Sequence, residues 1–520
     1  MSSAKSTIDM ADPMIGRPFA MPMIKPFVPK ALQPWIYLLF AVIFQLVNVT
    51  YMGNMHQMMG ALSIMREDAT FIFLCGVVGV AMPFPILFRL KFRFTNRSLL
   101  LFSVSGMIVC ILLSLVTESI PVLCVLSYAC CFMKLMATFE CFSNIQLWMT
   151  PKRDFQIFFP LLYIVVLGDM SVSGWLSQQL SYYCGSYHAM QYFIVSLLLM
   201  VLIFIYTCTQ HFRFMRPMPF LSIDWLGCLL WSATVLEVIW LFTYGEYYNW
   251  SDSRVWCTVA CALPLTIFFA CGRMMHIHHP YIDPRAFRYK TLGAILFFFV
   301  VEEWMNSTHN ALESVFTGSI LHYGMLTSSQ FNIVAWLGSV SGCLFCLWWM
   351  KMLRLKYTPL LTIGFALMLA YQVMMYFYIT PELNIERLYT PMFVRTFGYA
   401  IFFCVLTIYL EELMPFQHFF MGLTIAAFIR NGVVDSISGG VYSYLLRYHI
   451  ADNFARGLVI DAPQSIMIAV KYLYGTTCLM GCLFLLLLML WHVQPVRSTL
   501  KHLPYWNKLG QEMRKELAEG

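Results

Sequence analysis

Apolar residues form long runs along this chain, and most charged residues sit between the runs. A helix crossing the hydrocarbon of a bilayer needs about 20 apolar residues. Fourteen runs of that kind lie near 35–53, 69–88, 98–117, 121–147, 156–177, 189–210, 222–245, 254–272, 291–313, 327–350, 357–379, 388–411, 417–446 and 466–491. The pattern predicts fourteen spanning helices, and an even number puts both termini on one side. The thirteenth run is long and is expected to break or tilt. The connections are mostly short and leave no room for a separate soluble domain. The segment 447–465, on the opposite side from the termini, is long enough for a short interfacial helix.

Charge fixes the orientation. Of 33 Lys and Arg residues, 24 fall in the two tails and alternate connections, and five in the opposite connections. The other four, Lys134, Arg395, Arg430 and Lys471, lie inside runs. Basic residues accumulate in cytosolic loops, so a multi-pass inner (plasma) membrane protein with both termini in the cytosol is expected. Composition agrees, with 60% hydrophobic and 11% charged residues, against about 25% charged in an average soluble domain. A soluble globule of this length needs a polar shell, whereas a lipid-facing one does not. The net charge of +7 has its source in the internal loops, and no nucleic-acid partner is expected. The 17 cysteines show no framework spacing, and the pair Cys343 and Cys346 reads as packing thiols inside an apolar helix. The first 34 residues hold six prolines and read as an irregular internal tail, not a cleavable leader.

Ionisable groups inside the runs carry the candidate chemistry. A charge at membrane depth costs about 2.5–3.5 kcal/mol on insertion scales, so it usually faces a bundle interior or a wet cavity. The stretch FFFVVEEWMNSTHN continues the ninth run straight through two glutamates. Glu302, Asn306, His309 and Glu313 have the spacing of one helical face, flanked by Asn310. Glu303 points about 100° away. This stripe is expected to border an aqueous cavity between bundles. The rival reading is a structural hydrogen-bond network. The fourth run holds Lys134 and Glu140, with Asn144 one turn on; the fifth holds Asp169; the twelfth holds Arg395; the thirteenth holds Arg430, Asn431 and Asp435. Buried arginines and carboxylates form charge-paired networks, and a carboxyl taken out of water suits reversible protonation. Glu237 is expected to be paired locally. The cluster His276, His278 and His279 reads as a solvated basic loop, because metal binding needs several convergent ligands. No metal or cofactor is expected. No Gly-rich phosphate loop followed by GK[ST] occurs, which excludes an ATP-driven pump.

The segment 221–250 begins Asp224-Trp225-x-Gly227 and ends Gly245…Trp250. In the fifth run, LGDMSVSGWL carries Gly168 and Gly174, with Asp169 and Ser173 between; RNGVVDSISGG begins at Arg430. These residues resemble the inserted seventh helix, the antiporter motif and an Arg-led motif of the fourteen-helix drug:proton antiporters of the major facilitator superfamily, the EmrB/QacA type. HPYIDPRAFRYKTLG (279–293) resembles that family's cytosolic lead-in to the second half. The segment 84–97 keeps the basic residues of the family's gating motif without its aspartate and glycines. The resemblance implies an all-α polytopic protein of the major facilitator fold. A cytosolic tail (1–34) would precede an N-terminal six-helix bundle (35–216). Two inserted helices (217–275) and a basic loop (276–290) would lead to a C-terminal six-helix bundle (291–495) and a second tail (496–520). It further implies a secondary active transporter and not an enzyme. The implied activity is proton-coupled export of hydrophobic or amphipathic compounds, that is, multidrug-type efflux, with Glu302 as the leading protonatable group and Glu303, Asp169 and Glu140 behind it. Arg395 and Arg430 would tune the carboxyls or meet anionic groups. A periplasmic adaptor and an outer-membrane channel are the partners this family implies. The alternatives are export of a lipid, fatty acid or anionic metabolite, a transporter-like sensor, and a membrane-embedded enzyme.

Overall fold

The computed structural model describes residues 23–150, 154–212, 223–353, 358–414, 416–457 and 461–493. Most of both predicted tails therefore lies outside the described residues. The regular structure of the described residues is helical, apart from one isolated β-bridge between Ile24 and Thr209. The first half runs α1 (Gln33–Leu46), α2 (Met55–Leu62), α3 (Arg66–Ala81), α4 (Leu87–Arg93), α5 (Asn96–Val116), α6 (Ile120–Met149), α7 (Phe155–Cys184) and α8 (Ala189–Cys208). An antiparallel pair comes next, α9 (Trp225–Thr243) and α10 (Arg254–His276). The second half runs α11 (Lys290–Asn306), α12 (Met325–Leu347), α13 (Thr358–Tyr378), α14 (Ile385–Leu413), α15 (Phe416–Phe428), α16 (Asp435–Ala455) and α17 (Ala462–Val493). Eleven helices among the described residues are long and apolar enough to cross a membrane. Three predicted spans, the first, second and ninth, are carried by the shorter α1, α3 and α11.

Each shortening has a local cause. Pro83 and Pro85 come just after α3, where proline removes a donor and crowds the preceding turn. α11 does not stop at Asn306 but widens into two π-helical segments, His309–Glu313 and Phe316–Ile320. Another π-helical segment, Ile429–Val434, joins α15 to α16 and breaks the long thirteenth run as the sequence predicts. The first run is interrupted instead of continuous: α1 ends at Leu46 and Val47 is extended. The segment 447–465 also differs from expectation, because α16 continues to Ala455 in place of a separate short helix.

Four apolar clusters hold the helices together. One joins α1, α5, α6 and α8 around Phe44, Leu100 and Ile194. A second, around Phe299, Phe365 and Phe402, joins the second half to Phe158, Phe159 and Tyr163 of α7, and a third lies in the second half around Leu312, Tyr371 and Tyr474. The fourth joins α3 and α4 to α9 and α15. Outward faces are apolar as well: Phe268 on α10 is 71% exposed and Leu479 on α17 is 72% exposed. Such rims suit acyl chains, and helices satisfy their own backbone groups inside lipid. The last part of the Pro-rich tail is pinned to the first half, with Lys25 N–H donating to the Cys208 carbonyl at 2.9 Å and Gln210 N–H to the Met23 carbonyl at 2.9 Å.

The halves meet chiefly along α7 and α12. Gly168 faces the Trp336 indole, and a Cβ on Gly174 would sit 3.0 Å from Asn332 Oδ1. Asn332 Nδ2 donates to Gln178 Oε1 at 3.0 Å, and Gln179 Nε2 to Ser329 Oγ at 2.9 Å. At the end of the bundle that carries the basic connections, aromatic rings close the gap. Phe88 meets Phe420 edge-on at 4.6 Å, Phe159 meets Phe419 at 6.0 Å, and Tyr163 meets Phe403 at 4.5 Å.

Candidate functional site

Three elements of the second half bring most of the predicted polar residues together. Glu302, Glu303 and Asn306 come from α11, Arg395 and Tyr399 from α14, and Arg430 from the π-helical join before α16. Arg430 Nε donates to the Tyr399 hydroxyl at 2.9 Å, and its guanidinium lies over the Phe403 ring at 3.9 Å. Tyr399 donates to Glu303 Oε2 at 3.4 Å. Asn306 Nδ2 donates to Glu303 Oε1 at 3.4 Å, and Arg395 donates to Asn306 Oδ1 at 2.7 Å. The charge of Arg430 reaches both Glu302 and Glu303. Glu302 is 0% exposed, and neither of its carboxylate oxygens has a hydrogen-bond partner among the described residues.

A second cluster lies one to two turns further along the same rod. Glu313 Oε2 accepts from the Tyr371 hydroxyl at 2.5 Å and pairs with His309 Nδ1 at 3.0 Å. Arg395 lies over the Tyr371 ring at 5.8 Å, which links the two clusters. Asn310 Nδ2 donates to Asp435 Oδ1 at 3.4 Å across to α16. Access varies along the stripe: Glu302 and Glu313 are sealed, His309 is half-buried and Asn310 is exposed.

The single helical face expected for Glu302, Asn306, His309 and Glu313 is thus divided. Asn306 bonds Glu303 and not Glu302, and the π-helical turn from His309 shifts the phase of the residues beyond it. Tyr371, Tyr399 and Phe403 belong to the network although no charge marks them in the sequence. A tyrosine in an apolar run resembles ordinary packing.

The other predicted residues sit elsewhere. Glu140 is fully buried in the first half and forms an ion pair with Lys91 at 3.4 Å; Asn144 Nδ2 donates to its Oε1 at 3.1 Å. Asp169 on α7 is buried, and its Oδ2 has no hydrogen-bond partner among the described residues. Asp224 is structural. Its Oδ1 accepts from Gly227 N–H at 2.9 Å and from Arg273 Nε at 2.7 Å, and its Oδ2 from Tyr281 N–H at 3.2 Å. One carboxylate therefore caps α9 and ties it to α10 and the loop after it. A Cβ on Gly227 would press on Asp224 and come within 3.0 Å of Tyr281 Cβ, which accounts for the glycine three residues after the cap. Trp225 opens α9 beside them and packs on the cluster that joins α9 to α3. Glu237 accepts from Thr266 Oγ1 at 2.6 Å, between the paired helices. Cys343 and Cys346 are buried against α14, with Cys343 Sγ 3.8 Å from Cys404 Sγ. His276 Nδ1 lies 2.7 Å from the Gly272 carbonyl.

Two helical halves packed face to face are the arrangement of the major facilitator fold, and the pair α9 and α10 is added to it. Solved structures place the chain there. It is similar to a mutant of the nucleoside transporter NupG (TM-score 0.54, 12% identity, 88% of this chain and 98% of that one). It is also similar to the human organic anion transporter MFSD10, or TETRAN (TM-score 0.52, 9% identity, 87% and 99%). A third is an auto-inhibited peptide transporter of the POT family (TM-score 0.55, 12% identity, 88% and 96%). No protein-family profile matches the sequence, and no curated protein matches it either.

Proposed function

We propose that this chain is a secondary active transporter in which protonation of Glu302 is coupled to passage of a small organic solute. One observation carries the reading. Glu302 is a fully buried carboxyl with both oxygens unpartnered among the described residues, beside Arg430 and Glu303. An ionised carboxylate so placed is costly, and a proton or a solute cation relieves the cost. Arg430 then has two carboxylates and a tyrosine to choose among, which lets a proton on Glu302 redistribute its contacts. Transporters built from paired halves bind cargo near the midplane and rock about it. The two clusters on the α11 rod suit that depth, since the ninth run continues on both sides of Glu302.

The finer reading is proton-driven export of hydrophobic or amphipathic compounds across the inner membrane, with both termini cytosolic. An adaptor and outer channel belong to that reading alone. A second reading, export of an anionic metabolite, is favoured by Arg395, whose Nε is buried without a hydrogen-bond partner among the described residues. The solved structures of similar fold include transporters of nucleosides, organic anions and peptides, so the fold by itself does not choose the cargo.

The test uses purified protein in proteoliposomes and a panel of lipophilic dyes and organic anions. Solute-stimulated proton flux identifies the cargo class. Glu302→Gln is expected to abolish accumulation driven by a pH gradient while leaving solute exchange at equal pH intact. Unaltered pH-driven accumulation in Glu302→Gln overturns the coupling role.

A further inference from the structure

The interruption of the first span lies apart from the network above. α1 stops at Leu46, and residues 47–51 are non-helical before the chain resumes towards α2. A helix end leaves carbonyls without intrahelical donors, and inside a bilayer each unsatisfied group costs several kcal/mol. Side chains of the break itself and of other helices claim these carbonyls. Tyr51 hydroxyl donates to Leu46 O at 3.1 Å, and Gln191 Nε2 to Val49 O at 2.6 Å. Lys134 on α6 takes two of them: its Nζ lies 2.7 Å from Gln45 O and 3.0 Å from Val47 O.

An ammonium held by main-chain carbonyls of an unwound membrane helix occupies the place that such carbonyls give to a coupling cation in other transporter folds. A carboxylate completes the setting. Asp169 on α7, 8% exposed, has an Oδ2 with no hydrogen-bond partner among the described residues, and the field of Lys134 reaches it. Neutral donors suffice for Leu46 and Val49. Where two carbonyls of the break converge, a positive charge stands.

We propose that the break in the first span is a monovalent-cation site filled by the tethered ammonium of Lys134, with Asp169 as its counter-charge. The protein then needs no free alkali ion at this position. Removing the lysine side chain opens the site to a small free cation, either an alkali ion or a primary ammonium. The inference does not rest on the transport reading, and its readout is thermal stability.

The whole chain in detergent is melted in sodium, potassium, methylammonium or choline chloride at equal ionic strength. Wild type is expected to melt at one temperature in all four. Lys134→Ala is expected to melt about 2–5 °C lower in choline, as for loss of one or two buried hydrogen bonds. Methylammonium, sodium or potassium is expected to restore most of that loss. Adding Asp169→Asn is expected to abolish the restoration. If all four salts act alike on Lys134→Ala and on the milder Lys134→Ser, the site is not a cation site. The same conclusion holds if neither variant can be recovered folded even with methylammonium present throughout growth and purification. A wild type stabilised by sodium alone overturns the claim that Lys134 fills the site.

Discussion

Arg430 sets its guanidinium against two aromatic faces and one hydroxyl, and only its field reaches the glutamates. That arrangement needs a planar cation. Lysine keeps the charge but loses the stacking and the forked donors. Arg430→Lys is therefore expected to fold and insert normally while losing most solute-coupled proton flux, measured in the same vesicles as wild type. At this scale the sequence was informative about which polar residues lie inside helices and poor on how they meet. The carboxylates and arginines placed inside apolar runs lie buried or half-buried at helix contacts, because charge in hydrocarbon has few other resting places. The pairing was hidden, since Glu303 and Glu302 exchange roles with a small change of helix phase, and Tyr371 and Tyr399 carry no charge to flag them. Lys91 was hidden for another reason: it falls in a basic connection, yet its side chain reaches inward to Glu140.

Among the elements, the inserted pair shows how a short motif acts. α9 is held to α10 and to the loop before α11 by Asp224, and to the first half at its far end by Tyr244, whose hydroxyl donates to Asp68 Oδ1 at 2.6 Å. Glu246, just beyond, forms an ion pair with Arg447 of α16. Burial pushes the Glu246 carboxyl up from its ordinary value, against the pull of Arg447. Asp224→Ala removes a helix cap and leaves Arg273 without its buried carboxylate, together about 2–4 kcal/mol. The expected outcome is faster hydrogen exchange at 225–228 and around 281, with α5 unchanged. The Asp-Trp-x-Gly signature was readable as a helix start, because capping chemistry is local. The interruption after Leu46 was not, because residues 47–53 contain no proline and the carbonyls of Val47 and Val49 are satisfied from α6 and α8, far off in sequence.

For the whole molecule, the alternation of apolar runs and basic connections was enough to predict an all-helical membrane protein, and solved structures of this fold agree. Which helices touch was not readable. Most runs are apolar on every side, so the face towards lipid and the face towards a neighbour look alike. The α7–α12 contact was foreshadowed only by Gly168 and Gly174, small residues that let helices approach closely. The aromatic contacts at the basic end join elements from both halves. Phe420→Ala is expected to loosen it, raising deuterium uptake in 155–163 and 416–428 without change in 96–116. Equal uptake in the variant and wild type would show that Phe88 and Phe420 only fill space.

The wide turns along the rod that begins as α11 have a mechanical consequence. A π-helical turn holds one residue more than an α-turn needs. Restoring the tighter winding at His309–Glu313 would turn everything beyond it by about 100° and advance it by about 1.5 Å. Glu302 and Glu303 lie before that point and Glu313 lies within it. The rod can thus be rewound between its two groups of acids, swinging the Tyr371 partner out of register while the Arg430 partners stay where they are.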